Sequence, residues 1–261
     1  MLDRESLLAP FAGEDREVAA RVIDCAETAY RRNQPESGDF LDPRQQKVAT
    51  EVLRYLNGFI FRLFGGYKGA ERKRLTLIPD YLAPEDVPLP VAAFQIEGNF
   101  KFTEVSHRDY LGSIMALGLR REKFGDLIVI DGGCQVVAAS EIGSVLCQQL
   151  QQVKGVPVRV EPIELEQLAV EPEHVKSIRA TVASLRLDAV AAAGFGTSRS
   201  KMAREIKAER VKVNWETVAN PARSVAQGDI LSIRGRGRVV VEEIVGTTKK
   251  GRQSIILQRY R

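Results

Sequence analysis

The stretch from Leu185 to Arg238, opening LRLDAVAAAGFGTSRSKMAREIKAERVKVNW, constrains the chain more tightly than any other. It reads as two short helices, a strand carrying Val211-Lys212-Val213-Asn214, and a Gly228-Asp229 turn into a second strand. Ser198 follows the flexible Gly194-Phe195-Gly196-Thr197 turn and precedes good helix formers, which predicts it as the N-cap of the second helix. Counting about 100° per residue from Arg199 puts Met202 and Ile206 at roughly 300° and 340°, and Lys201, Arg204 and Lys207 at roughly 200°, 140° and 80°. One face is apolar and the opposite face carries three cations. Arg199 lies at the helix start near the apolar edge, placed either to pack or to reach a phosphate.

Taken alone, such a helix is most simply a solvated amphipathic one. Its surroundings argue for more. Arg186, Lys212, Arg223, Arg234, Arg236 and Arg238 lie close by in sequence with few acids between them. From Lys176 to Arg261 there are 18 Lys/Arg against 7 Asp/Glu, a charge of +11, whereas the whole chain is +4, leaving residues 1 to 175 at −7. Charge segregated this sharply predicts a polyanion-binding face at one end.

The pieces Arg186-Leu187-Asp188, Ser198-Arg199-Ser200, Ile206, Val211-Lys212-Val213-Asn214 and Gly228-Asp229 resemble the S4 RNA-binding domain, named after a small-subunit ribosomal protein. Where that family usually has Gly before the Val-x-Val-Asn strand, this chain has Arg210, which adds charge and gives up backbone freedom. In S4 domains the basic helix pair lies against structured RNA. The resemblance therefore implies an RNA interface made of Arg186, Ser198, Arg199, Ser200, Lys201, Arg204, Lys207, Lys212, Asn214, Arg223, Arg234 and Arg236. The chemistry suits it: folded RNA is recognised largely through shape, phosphates and 2′-hydroxyls.

Before this stretch, residues 15 to 32 carry Val18, Val22, Ala26 and Ala29 at helical spacing. Asn33 to Asp39 is polar and rich in breakers, which predicts a loop. Asp42-Pro43 opens a second helix through Gln45 to Tyr55, with Pro at its first position. Phe59 to Leu63 and Leu75 to Ile78 read as strands around a Gly65-Gly66 and Gly69 turn, which lacks the spacing of a P-loop or a dinucleotide-binding loop. Arg72-Lys73-Arg74 beside it is either a solvated edge or a second RNA contact. Asp80 to Pro90 is a connector. Beyond it, a strand near Ala93 to Glu97, a helix over His107 to Leu117, a hairpin of Leu127 to Asp131 with Gln135 to Ala139, a helix over Glu141 to Val153 and a strand over Pro157 to Glu161 give the ferredoxin-like order β-α-β-β-α-β. RNA-recognition motifs share that order, but their basic-Gly-aromatic signature is missing from both central strands.

FGGYKGAERKRL (64 to 75), SHRDYLGSIMALGLRREKFGDLIV (106 to 129) and VPVRVEPIEL (156 to 165) extend the resemblance over most of the chain, to the YlmH-like S4-domain proteins. That resemblance implies an α+β protein with an N-terminal mainly helical domain (1–74), a central RRM-like domain (75–170) and an S4 domain with a closing hairpin (180–261). Bacterial members bind the large ribosomal subunit and tRNA and act in rescue of stalled nascent chains. Cyanobacterial members are labelled photosystem II S4 domain proteins, so photosystem biogenesis is a second process the family implies. Arg108, Arg120, Arg121 and Lys123 fall in a matching block. With Arg72, Lys73 and Arg74 they form a candidate second RNA contact, His107 to Asp109 being first of all a helix start and Arg120 to Lys123 a charged turn.

After the S4 core, Val239, Val241 and Ile244 are expected to pair with Ser254 to Leu257 around a Lys249-Lys250-Gly251 turn. Trp215 and Tyr260 are stacking candidates, packing being the plainer reading. Little in the sequence suggests catalysis. Two histidines, His107 and His174, supply neither a metal cluster nor a His-based triad. Cys25, Cys134 and Cys147 form no CxxC pair and read as reduced thiols. Ser198-x-x-Lys201 has no partner motif, and its serine is better used as a cap. The remaining alternatives are an RNA-modifying enzyme of pseudouridine-synthase type, whose catalytic Asp lies in an Arg-Leu-Asp-like loop, and an assembly factor meeting partners through its acidic N-terminal unit. No apolar run reaches the roughly 18 to 20 residues that cross a bilayer, and the acidic start has no signal pattern. The expectation is a non-enzyme without cofactor, metal or small-molecule substrate. It would reside in the cytoplasm, or in the plastid stroma if the source is a photosynthetic eukaryote.

Overall fold

The computed structural model describes residues 3–170, 175–248 and 251–260. The chain divides into two units, Met1–Val170 and Glu171–Arg261. His174, Lys249, Lys250 and Arg261 lie outside the described residues.

In the first unit, α1 (Arg4–Leu8), α2 (Gly13–Arg32), β1 (Glu36–Leu41), α3 (Pro43–Leu53), β2 (Phe59–Phe64) and β3 (Lys73–Pro79) come first. Helix α3 starts as its sequence predicts. Asp42 accepts from the Gln45 amide, Gln45 returns a bond to the Asp42 amide, and Pro43 occupies the first turn. The expected loop at 33–39 is instead largely strand β1. Its polar run Glu36-Ser-Gly-Asp hides a strand that exists because β3 pairs with it, in the order β1-β3-β2. Strand β3 is thus the centre of the N-terminal sheet, so a domain boundary between residues 74 and 75 cuts through it. Helices α2 and α3 bury Val18, Val22, Ile23, Val48 and Val52 against Leu41, Leu75 and Leu77.

Then come β4 (Val91–Gly98), α4 (His107–Met115), β5 (Phe124–Ile130), β6 (Gly133–Ala139), α5 (Gly143–Gln149), β7 (Gln152–Val153) and β8 (Val156–Ile163). The antiparallel order β5-β6-β4-β8-β7 is the ferredoxin-like arrangement with one short added strand. Phe94 and Ile96 point towards the helix side, where the Phe94 ring leaves no room for a Cβ at Gly143. An RNA-recognition motif keeps its other sheet face open for bases. Here that face is closed. Gly66 fits against Val137 and Leu165, and Phe40 sits on Gly125. Gln135 bonds Gln95, the Gln167 carbonyl and the Ala169 amide. Every residue of β6 is buried. The glycines at 65 and 66 serve close packing, not the approach of a phosphate.

The second unit holds β9 (Val175–Val182), α6 (Leu187–Phe195), α7 (Arg199–Lys207), β10 (Val211–Val213), β11 (Glu216–Thr217), β12 (Ile230–Ile233), β13 (Gly237–Thr247) and β14 (Gln253–Tyr260). Its six strands run in the order β11-β10-β12-β13-β14-β9. Strand β9, which precedes the residues carrying the S4 resemblance, closes the sheet by pairing with all of β14. The closing hairpin pairs Val241 with Leu257 and Ile244 with Ile255. Helix α6 lies so close to β13 that a Cβ at Gly194 would come 2.6 Å from Val239 Cγ1. The Arg210 anomaly has a local explanation. The left-handed residue that ends α7 is Glu209, φ +58°, and the Arg210 amide closes the turn on the Glu205 carbonyl.

Two stability predictions follow from these details. A left-handed non-glycine residue costs about 1–2 kcal/mol, so Glu209→Gly is expected to stabilise the C-terminal unit by about 1 kcal/mol. Denaturant unfolding followed by the fluorescence of Trp215, the chain's single tryptophan, measures it. In the first unit Arg74, 4% exposed, meets Glu141 through two 2.8 Å bonds. Burial raises the Glu141 carboxyl, but the bonds from Arg74 outweigh it and hold it below its ordinary value. A depressed carboxyl stabilises above its unfolded pKa and loses that contribution as pH falls through the folded one. Breaking a buried pair costs about 3–5 kcal/mol. Glu141 is half exposed, so Glu141→Gln should cost about 2 kcal/mol at neutral pH and less in acid. Hydrogen exchange of β3 amides at pH 7 and pH 3 checks both.

Candidate nucleic-acid interface

The geometry of the helix pair begins with its core. Met202 and Ile206 are fully buried, with Leu187, Val190, Phe195, Val211, Val213 and Leu231 in the same cluster. The Ser198 hydroxyl caps α7 by accepting from the Lys201 amide at 3.3 Å. With the apolar side of α7 fixed inward, Arg199, Ser200, Lys201, Arg204 and Lys207 are all exposed. Among the described residues the side chains of Lys201, Arg204 and Lys207 hold no ion-pair partner. Arg204 and Lys207 sit in the last turn, where they also complement the helix dipole.

Asp188 organises the start of both helices. It is buried and takes Arg186 at 2.9 Å and Arg199 at 3.1 Å. Burial pushes its carboxyl up, but the two guanidiniums outweigh that and hold it below the usual carboxylate value. The loop carrying Arg223 joins here, because Leu187 donates to the Arg223 carbonyl and Asp188 to that of Pro221. Arg223 itself reaches Glu216 at 3.8 Å. Arg186, Arg199 and Arg223 thus gather at the helix starts, beside the free cations of α7.

Other expected contacts fall elsewhere. Asn214 is a structural clasp: its side chain donates to Asp229 at 2.8 Å and accepts from the Ile230 amide at 3.0 Å. With Trp215 it forms the left-handed pair of the β10–β11 turn. That explains why the Val-Lys-Val-Asn and Gly-Asp pieces occur together. Lys212 alternates with the buried Val211 and Val213 and therefore points away from the helices. Arg236 bonds the Phe195 carbonyl at 3.1 Å and lies over the Phe195 ring, with Arg259 on the same carbonyl. These two arginines finish the end of α6. Arg234 is exposed in the β12–β13 turn.

Most of the expected second contact is occupied with holding the first unit together. Arg74 is buried on Glu141. Arg72 donates to the Phe124 and Phe40 carbonyls, and Arg121 to those of Phe124 and Gly125. Burial lowers the pKa of Arg121 to about 10, with repulsion from Arg72 adding to it. Arg120 pairs with Asp39, and Lys123 with Asp39 and Glu141. Sequence runs of this kind show charge but not the carbonyls and carboxylates that absorb it. Lys73, half-buried, and Arg108, exposed on α4, keep their charge unpaired among the described residues.

A helix pair with an outward cationic face, packed on one side of an antiparallel sheet, defines an S4-type RNA-binding protein, and residues 185–231 match the model of the S4 domain. Residues 14–82 match "YlmH, N-terminal" and residues 84–167 match "Putative RNA-binding domain in YlmH". The chain belongs to the YlmH family. It is 36% identical over 250 residues to the ribosome-associated protein quality control protein P2 of Bacillus subtilis (strain 168), covering 95% of this chain and 96% of that protein. The solved structure of the cell division protein ylmH from Streptococcus pneumoniae shares the fold, with a TM-score of 0.52 at 23% identity over 60% of this chain and 96% of that one.

Removing the charge of Asp188 tests the clamp. Asp188→Asn should destabilise the C-terminal unit by about 1–2 kcal/mol at neutral pH, allowing for the exposure of both arginines. The wild-type advantage should vanish as pH falls through the depressed carboxyl pKa, since a lowered carboxyl stabilises only while ionised. Trp215 fluorescence melts of both proteins across that range measure it.

Proposed function

We propose that this protein is a non-catalytic RNA-binding factor that grips structured ribosomal RNA and tRNA on the large ribosomal subunit through its S4 domain, in cytoplasmic quality control of stalled translation. The observation that carries the reading is the exposed face of α7, where Lys201, Arg204 and Lys207 stand on a helix locked by the burial of Met202 and Ile206. Three cations of one sign on a rigid ridge suit a phosphate backbone, and the energy of such binding comes largely from counterion release. The name of the Bacillus subtilis relative, matched over nearly the whole chain, supplies the ribosomal setting. Arg186, Arg199, Arg223 and the Ser198–Ser200 hydroxyls extend the proposed footprint around the start of the helix pair. Arg234, Lys73 and Arg108 remain secondary contacts in this reading.

The geometry around Asp188 speaks against the pseudouridine-synthase alternative. A catalytic aspartate must meet a base, whereas this carboxylate is buried and held by two arginines.

Lys201→Glu with Arg204→Glu reverses two exposed charges and leaves the buried side of α7 untouched. It is a better probe than Arg199→Glu, which would set two carboxylates against each other at Asp188. The variant should lose co-sedimentation with large ribosomal subunits at physiological salt. Its affinity for ribosomal RNA transcript should depend less on salt, the log–log slope falling by about two. A folded variant that sediments like wild type rejects the assignment.

A further inference from the structure

The six-stranded sheet of the C-terminal unit carries its helices on one face. The register fixes what the other face presents. Lys212 on β10 lies opposite Ser232 on β12, Ser232 opposite Arg238 on β13, and Arg238 opposite Tyr260 on β14. Directly paired residues project from the same side of a sheet, and Lys212 points away from the buried Val211 and Val213. The four side chains therefore form one row on the helix-free face, about 14 Å long at three inter-strand steps of about 4.8 Å. The Arg238 guanidinium lies over the Tyr260 ring, 4.8 Å from its centroid. Beside the row come Ile230, Val240 and Gln258, half-buried, and then the exposed Arg179, which pairs with Ile256. Glu243 of β13 pairs with the same Ile256, so Arg179 shares its row with an exposed carboxylate, and the row from Lys212 to Tyr260 itself carries none.

An aromatic ring, a guanidinium plane stacked on it, a lysine at the other end of the row and a half-apolar floor are what an unpaired RNA strand needs. Bases stack on aromatic rings and on guanidinium planes, and flanking cations meet the phosphates. Val175, exposed and paired with Tyr260, extends the apolar part of the row. We propose that the helix-free face of this sheet, along Lys212, Ser232, Arg238 and Tyr260, is a second RNA-binding surface that holds single-stranded nucleotides on the opposite side of the sheet from α7. The inference rests on the RNA-binding reading of this unit and adds to it a separate surface and a separate class of RNA. The sheet face of the first unit is covered by Gly66, Phe40 and Leu165 and leaves no such platform among the described residues.

Fluorescence anisotropy of the full chain with a labelled decaadenylate RNA at low salt tests it. Tyr260→Ala should weaken binding about tenfold, the effect of removing one stacked base. Tyr260→Phe, which keeps the ring, should bind like wild type, and Arg238→Ala should weaken binding several-fold. Trp215 fluorescence melts confirm that each variant is folded. Equal binding by Tyr260→Ala and Tyr260→Phe overturns the proposal, as does a wild-type chain that ignores decaadenylate. If Tyr260→Ala lowers ribosome co-sedimentation while decaadenylate binding is unchanged, the face takes a protein and the proposal also fails. None of these results touches the α7 reading, which stands or falls on Lys201 and Arg204.

Discussion

Burial of Met202 and Ile206 decides the outward chemistry of the C-terminal unit. Once those two side chains enter the core with Val211, Val213 and Leu231, a helix of 3.6 residues per turn has no freedom left. Lys201, Arg204 and Lys207 must face solvent. The close approach of α6, enforced at Gly194 against Val239, and the Asp188 clamp then fix where the two helices begin relative to each other. Each fully buried side chain of this size is worth about 1.5–3 kcal/mol. Exposed ion pairs contribute about 0–1 kcal/mol. The apolar contacts, not the charges, therefore hold the ridge in shape, which leaves the charges available for a ligand.

Both units use arginine to hold structure, and they differ in the cations left over. In the first unit Arg72 and Arg74 run into carbonyls and a carboxylate more than thirty positions away, while Arg121 closes on the carbonyls of Phe124 and Gly125 just after it. In the second unit Arg186 and Arg199 share one carboxylate, Arg236 and Arg259 cap one helix end, and Lys201, Lys207 and Lys212 hold no ion-pair partner among the described residues. Guanidinium suits the structural roles because its planar fork serves several acceptors at once. Local charge density in the sequence therefore overstates the unpaired cations in the first unit and describes them better on α7.

What the sequence made legible follows the range of the determining contact. The polarity of α7 and its Ser198 cap, the Asp42 capping box and the β13–β14 hairpin all depend on residues within a few turns or one hairpin of each other, and patterns of period two or 3.6 suffice to read them. Strand β1 has the sequence of a loop because its strand character comes from β3, more than thirty residues on. Strand β9 carries no local signal for the same reason, its partner being the last described strand. Arg74 looked like a surface cation because Glu141 is 67 positions away. Asn214 looked like an RNA reader because its clasp on Asp229 needs the turn to be folded first. A side chain's destination is a tertiary property, and only its tendency is local.

Charge segregation has a further consequence, which holds whatever the arrangement of the two units. Residues 176 to 261 carry +11 and residues 1 to 175 carry −7. Such a chain has little net charge to attract it to a polyanion but a large difference between its parts. At physiological salt fields fade over about 8 Å, so attraction and repulsion act only in the final approach. There they act on different segments: one is drawn to phosphates while the other is pushed from them. Orientation is thus selected before any specific contact forms. The net charge of +4 is well below the +11 of residues 176 to 261, which weakens non-specific attraction to RNA relative to that segment alone. Selectivity for a particular RNA surface can then rest on shape and on the placement of a few free cations, with no need for a base-reading code in the helix pair.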